Sequence, residues 1–187
     1  MIIIDAGHGG KDPGAVGNKL QEKDLTLRIS LIQKRLCEIY NIPHYLTREK
    51  DTYISLQERT RVAKQKSQLK DKTILISNHI NSSEGIAKGF EIIKKHSDHS
   101  QYANNLLKLV QRSDILSIRK VYSKLNKSNQ DYFHMVRDVP FRSYILEWGF
   151  IKNSRDMQSL QNNLTVAATL PIIAYLQDKD IQKVQLY

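Results

Sequence analysis

The chain opens Met1-Ile2-Ile3-Ile4-Asp5-Ala6-Gly7-His8-Gly9-Gly10-Lys11-Asp12-Pro13-Gly14-Ala15-Val16-Gly17. Residues 1–5 read as a short, fully apolar strand. Residues 6–17 read as a loop that holds five of the chain's eight glycines. A helical pattern follows, with Leu25, Ile29, Ile32, Leu36 and Ile39 recurring at spacings of four and three. Strands that are apolar throughout belong to sheets covered on both faces.

Working outward, the same alternation continues. Residues 44–47 read as a short strand after Pro43, and residues 55–65 as a helix with Leu56, Val62 and Ala63 inward. Residues 73–77, Thr-Ile-Leu-Ile-Ser, are a second apolar strand, and residues 89–94 a third around Phe90, Ile92 and Ile93. Residues 102–112 read as a helix and the polar residues 113–131 mostly as loop. Residues 132–137 and 143–146 read as two more strands. Residues 163–177 form a final helix, in which Pro171 predicts a kink or restart. The expected fold is a single α/β domain over residues 1–177, with a largely parallel central sheet flanked by helices on both faces. Residues 178–187 are expected to be a C-terminal tail or linker remnant.

The length, 187 residues, fits one domain. A hydrophobic fraction of 40% is too high for a disordered polycation. Mean hydropathy is −0.48, and no apolar run nears the roughly 20 residues of a membrane span. The single cysteine, Cys37, excludes an internal disulfide and multi-thiolate zinc sites. It reads as a core filler on the first helix. The net charge of +10 favours an anionic partner, whether nucleic acid, lipid or an acidic polymer.

Three apolar strands end in chemistry. Ile2 to Asp5 runs into His8, Ile74 to Ser77 into His79, and Tyr144 to Leu146 into Glu147. Catalytic groups in open α/β sheets collect beyond the carboxyl ends of strands. Glu22, at the start of the first long helix, points to the same edge. Two histidines and a carboxylate with an open fourth position make a catalytic zinc site, and a second carboxylate would serve as general base and acid. On spacing alone, Glu22 and Glu147 divide these roles in either order. The Gly-rich loop matches neither GxGxxG nor GxxxxGK[ST], and the chain lacks HExxH.

Residues 4–17 closely resemble the opening of the zinc-dependent N-acetylmuramoyl-L-alanine amidases, which include bacterial autolysins, sporulation enzymes and phage endolysins. Four further blocks follow in that family's order. They are Glu22-Lys23-Asp24-Leu25, Leu46-Thr47-Arg48 with Asp51 to Arg59, Ser77-Asn78-His79-Ile80-Asn81, and Leu146-Glu147-Trp148-Gly149-Phe150 through Asn153. The resemblance implies that His8, Glu22 and His79 bind one Zn²⁺ ion and that Glu147 is the catalytic carboxylate. It implies hydrolysis of the amide between N-acetylmuramic acid and the L-alanine of the stem peptide. Asn81, Arg137 and Trp148 are candidate substrate contacts, with packing the favoured role for Trp148. His134 is expected within the strand before Arg137, with an ordinary structural role favoured over lining the cleft.

The resemblance also implies peptidoglycan as partner, with the surplus charge attracting the domain to an anionic wall. No nucleic acid is expected: zinc-finger spacing and an RNP-like segment are absent, and Lys64, Lys66, Lys70 and Lys72 read as a solvated helix face. Membrane insertion is not expected, and the chain is expected to be a monomer. The apolar start stops at Asp5, short of the roughly 7–15 residues of a secretory leader. The expectation is therefore synthesis in the cytoplasm and action on the wall after release.

Overall fold

The computed structural model describes residues 1–67, 73–84 and 86–178. The chain forms β1 (Ile2–Ala6), a small hairpin of β2 (Val16–Gly17) and β3 (Leu20–Gln21), α1 (Glu22–Ile39), β4 (His44–Leu46) and α2 (Leu56–Lys66). It continues through β5 (Ile74–Asn81), β6 (Phe90–Lys94), α3 (Tyr102–Ser113), β7 (Ile118–Tyr122) and α4 (His134–Arg137). It ends with β8 (Arg142–Phe150), α5 (Ser154–Asn162) and α6 (Leu164–Asp178). Six strands make one sheet in the order β4-β1-β5-β8-β6-β7. β4, β1, β5 and β8 are parallel to one another, whereas β6 runs antiparallel to β8 and β7 parallel to β6.

Side chains alternate between the faces of a strand, and here that alternation separates two layers. Even-numbered residues such as Ile4, Ile76, Ile92 and Leu146 join the core beneath α1, α3 and α6. Odd-numbered Ile3, Leu75, Ile93 and Ile145 meet Ala63 of α2 and Met135 and Val136 of α4. The odd register carries on to Asp5, Ser77, His79 and Glu147 at the carboxyl edge of the parallel strands, and to Glu91 on β6. Helix ends are set locally. Ser55 Oγ accepts the Glu58 N–H at 3.2 Å and so starts α2. Asn153 Oδ1 accepts the Asp156 N–H at 3.1 Å and starts α5.

The α/β architecture expected from the sequence is present, with corrections in detail. Residues 132–137 are not a strand: His134–Arg137 is one helical turn, with Met135 and Val136 packed down on the sheet. The span 113–131 contains β7, an edge strand whose Arg-Lys center hides its periodicity. The Gly-rich loop carries the β2–β3 hairpin, and α5 precedes the final helix. Pro171 lies inside an uninterrupted α6. The break falls instead at Asn163, whose side chain donates to Ser159 O at the end of α5. Packing of α6 on α1 and α3 outweighs the hydrogen bond that Pro171 cannot make. Leu56 points outward, 50% exposed. Cys37 is buried, and burial pushes its thiol up to about 12. Lys70, Lys72 and residues 179–187 lie outside the described residues.

Candidate metal centre

The loop after β1 owes its shape to buried charge. Asp5, 1% exposed, accepts Thr47 Oγ1 at 2.7 Å, Ser77 Oγ at 2.6 Å and Arg59 Nη1 at 2.7 Å. Burial alone would raise its pKa, but the Arg59 charge and these hydrogen bonds win and lower it. Arg59 also donates to the carbonyls of Ala6 (2.6 Å) and His8 (2.5 Å). Arg48 donates to the carbonyls of Ala6 (3.0 Å), Gly7 (2.9 Å) and Lys23 (2.7 Å). Two buried guanidiniums thus satisfy loop carbonyls that would otherwise be stranded, and His8 is held with φ +61°.

His8 arrives from the end of β1, His79 from β5, and Glu22 is the first residue of α1. A carboxylate there also complements the helix dipole. Glu22 is 3% exposed. Its Oε1 lies 2.9 Å from His79 Nδ1 and 3.2 Å from His8 Nε2, and accepts the Ile80 N–H at 2.9 Å. Its Oε2 accepts the Ala15 N–H at 2.8 Å. One donor atom from each of His8, Glu22 and His79 lies within 4.8 Å of the others. The imidazoles meet edge to face, 5.1 Å between centroids. The close fit needs glycine: a Cβ on Gly7 would come 2.5 Å from His79 Cε1, and one on Gly14 2.7 Å from both Glu22 Oε2 and His8 Cδ2.

The electrostatics of this group are those of a cation site. Burial opposes charge on Glu22, yet hydrogen bonds to His79 and His8 outweigh it and hold the carboxyl well below its usual range. Burial likewise works against protonated His79, and Glu22 overrides it, raising the imidazole to about 9. Glu22 thus favours positive charge on both the His79 and His8 rings, and a metal ion would compete with protons for these nitrogens. Two nitrogens and one carboxylate oxygen form the donor set of a catalytic zinc site, so the residues fit a zinc ion. Asp12 completes the arrangement. Its Oδ2 lies 2.9 Å from His8 Nδ1, leaving Nε2 to face Glu22, and its Oδ1 accepts the Gly14 N–H at 3.0 Å. Such carboxylate–histidine pairs fix the orientation of a ligating ring.

Glu147 on β8 is in register with His79. Its Oε2 is sealed from solvent and has no hydrogen-bond partner among the described residues. Burial raises Glu147 to about 7; His79 pulls the other way, while Glu22 and Glu91 add to the rise. The structure thus places His8, Glu22, His79 and Glu147 on one sheet edge.

The three candidate substrate contacts part company. Asn81 follows His79 by two residues on β5 and donates Nδ2 to Glu91 Oε2 at 3.2 Å. Trp148 takes its packing role and not the substrate role: its side chain is fully buried on the opposite face, 4.7 Å from the Phe90 ring, with Nε1 donating to Asn78 Oδ1 at 3.1 Å. Arg137 is on α4, paired with Asp138 at 2.9 Å, and lines a groove with Thr60, Lys64, Lys95 and His134. His134 lies there on α4, not on a strand, with Nε2 3.3 Å from Thr60 Oγ1.

The sequence reading passed over Asp12, four residues from His8, and gave no role to Arg48, Arg59 or Glu91. The arginines were legible as residue types in a recurring block, but their targets are backbone carbonyls, which a sequence does not mark.

The family described as N-acetylmuramoyl-L-alanine amidase (Amidase_3) matches residues 2–173. The sporulation-specific N-acetylmuramoyl-L-alanine amidase of Bacillus subtilis (strain 168) is 32% identical over 167 residues, 87% of this chain and 60% of that protein. This chain therefore spans less than two thirds of that relative's length. The catalytic domain of CwlV, an N-acetylmuramoyl-L-alanine amidase from Bacillus (Paenibacillus) polymyxa var. colistinus, superposes with a TM-score of 0.83 at 26% identity, covering 97% of this chain and 98% of that one. The amidase AmiC2 of Nostoc punctiforme gives a TM-score of 0.80 at 26% identity, with 97% of each chain covered.

Proposed function

The chain belongs to the N-acetylmuramoyl-L-alanine amidase family, and on that premise we propose that it is a zinc hydrolase of peptidoglycan. It cleaves the amide between the lactyl group of N-acetylmuramic acid and the L-alanine of the stem peptide. The observation that carries this reading is the convergence of His8, Glu22 and His79, with donor atoms within 4.8 Å, beside an in-register Glu147.

His8 Nε2, Glu22 and His79 Nδ1 would hold the zinc, and Asp12 orients the first of them. Bound zinc supplies Lewis acidity for the amide carbonyl and lowers the pKa of water. Glu147 moves the protons. Its carboxyl, whose proton affinity burial raises to about 7, takes a proton from the attacking water and gives it to the departing L-alanine nitrogen. Glu22 cannot share that task, because both its oxygens are already engaged by His8, His79, Ile80 and Ala15.

The +10 charge supports attraction to the anionic wall, and the groove between α2 and α4 gathers Arg61, Lys64, Lys95 and Arg137 on the face that carries the site. No helix among the described residues is long and apolar enough to cross a membrane.

Metal analysis tests the centre directly. The parent protein should carry one zinc per chain, lost in His8→Ala, Glu22→Gln and His79→Ala and kept in Glu147→Gln. Retention of the ion by His79→Ala, or its absence from the parent protein after zinc loading, would overturn the assignment.

A further inference from the structure

Two irregularities of the sheet sit side by side next to Glu147. Between β5 and β8, His79 pairs with Glu147 but Asn81 pairs with Phe150, so β8 carries one extra residue. Between β6 and β7, Phe90 pairs with Ile118 but Glu91 with Lys120, so β7 carries one extra residue, Arg119. Bulges of this kind re-aim side chains and gather beside active sites. Here one bulge sets Phe150 against Arg119 and the other sets Arg119 against a buried carboxylate.

That carboxylate is Glu91, whose side chain is 3% exposed and which lies directly across the antiparallel β6–β8 pair from Glu147. Oε2 accepts from Asn81 at 3.2 Å. Oε1 meets Arg119 Nε at 2.5 Å, with Lys120 Nζ 3.9 Å away. The Arg119 guanidinium also stands 5.3 Å from the centroid of the Phe150 ring. Arg119 is thus fixed along one edge by a buried anion and seated on an aromatic ring. Its Nη groups have no protein partner among the described residues, and its side chain is 44% exposed. Lys120 is 48% exposed. Two cations share one buried carboxylate, and Lys120 Nζ also stands 4.1 Å from the centroid of the Tyr122 ring.

The sheet register gives this charge a direction. Reading across it, His79 is followed by Glu147, then Glu91, then Lys120. On the amidase reading, with the scissile carbonyl at the His8–Glu22–His79 end and the departing nitrogen at Glu147, the peptide beyond that nitrogen would run toward β7. Two further strand spacings are about 10 Å, the reach of about three extended residues. On that side the substrate offers carboxylates, whereas the glycan side offers hydroxyls and acetamides.

We propose that Arg119, with Lys120 beside it, is a specificity-determining group that binds a carboxylate within the first residues of the stem peptide, and that Glu91 is its positioning residue. This rests on the amidase reading above and deepens it. A guanidinium fixed at Nε presents its outer N–H pair to a carboxylate in the forked geometry that Lys cannot reproduce.

The test uses two soluble muramyl peptides of the same sequence, one with free side-chain and α-carboxyl groups and one with these groups amidated. KM and kcat are measured for the parent, Arg119→Gln, Arg119→Lys and Glu91→Gln, with melting temperatures recorded alongside. The parent should favour the acidic peptide by about tenfold in KM, as for one charge-assisted hydrogen-bonded contact. Arg119→Gln should abolish that preference, Arg119→Lys should restore part of it, and Glu91→Gln should reduce it. A parent that binds both peptides equally, or an Arg119→Gln variant with the parent's preference, would overturn the proposal while leaving the amidase reading intact. Failure of the zinc-loaded parent to cleave either peptide would overturn the amidase reading, and the proposal with it.

Discussion

The two faces of the sheet differ in depth. One face lies under α1, α3 and α6 and, among the described residues, packs 32 buried apolar residues into one cluster. The other lies under α2 and α4 and packs nine. The difference is largest at the carboxyl edge, where the thin face ends in Asp5, Ser77, His79 and Glu147 instead of aliphatic side chains. A charge beneath the thick layer would pay a desolvation penalty with no partner. Under the thin layer Asp5 is paired with Arg59 and His79 with Glu22, and Glu147 stands in register beside them. Glu147 and Trp148 show the contrast within a single peptide bond: the first faces the site, the second the deep core.

Substitutions at these two neighbours press hardest on that comparison. Glu147→Gln should cost about 10²–10⁴ in kcat, the usual scale for a lost general acid–base group, with the melting temperature unchanged or raised because a buried charge is removed. Trp148→Ala should do the reverse in kind. It should destabilise by about 3–5 kcal/mol, read by urea titration, with its activity loss following the unfolded fraction. Wall-degradation loss in a fully folded Trp148→Ala protein would break the division between faces.

Asp5 sharpens the comparison, because it is a thin-face residue that serves the fold. Its folded pKa is depressed, so its contribution is present above the ordinary carboxylate value and is lost as pH falls through the lower folded value. Melting temperature should therefore drop as pH falls below about 4, and Asp5→Asn should flatten that slope. The same variant leaves Arg59 buried without its anion, at a cost of about 3–5 kcal/mol at neutral pH. Asp12→Ala should weaken zinc binding by about 10–100-fold with little change in stability, measured by competition with a chelator. Leu56→Ala, on the outer side of α2, should stay within about 0.5 kcal/mol of the parent.

Much of this was legible in the sequence where a pattern and a chemical requirement coincide. Ile2-Ile3-Ile4, Ile74-Leu75-Ile76 and Tyr144-Ile145-Leu146 marked the buried strands, and His8, His79 and Glu147 stood at their ends. Glu22 stood at the helix start, and the family resemblance assigned it to the metal. Other features depended on facts the pattern does not carry. Strand parity puts Trp148 opposite Glu147, and the bulge at Gly149 (φ +82°) then alters that parity for Phe150. β7 is an exposed edge, so Ile118-Arg119-Lys120-Val121-Tyr122 alternates poorly and reads as loop. Phe133, Met135 and Val136 have the composition of a strand, but Met135 and Val136 sit in a single helical turn behind Phe133 and cap the thin core.

The most direct test of the account is the identity of the bond cut. Purified peptidoglycan would be digested with the zinc-loaded protein and the products separated and analysed by mass spectrometry and end-group labelling. The account predicts new free amino termini on L-alanine and glycan strands bearing free lactyl carboxylates, with neither product formed by Glu147→Gln. New termini elsewhere in the stem peptide, with the muramyl–alanine amide intact, would contradict it.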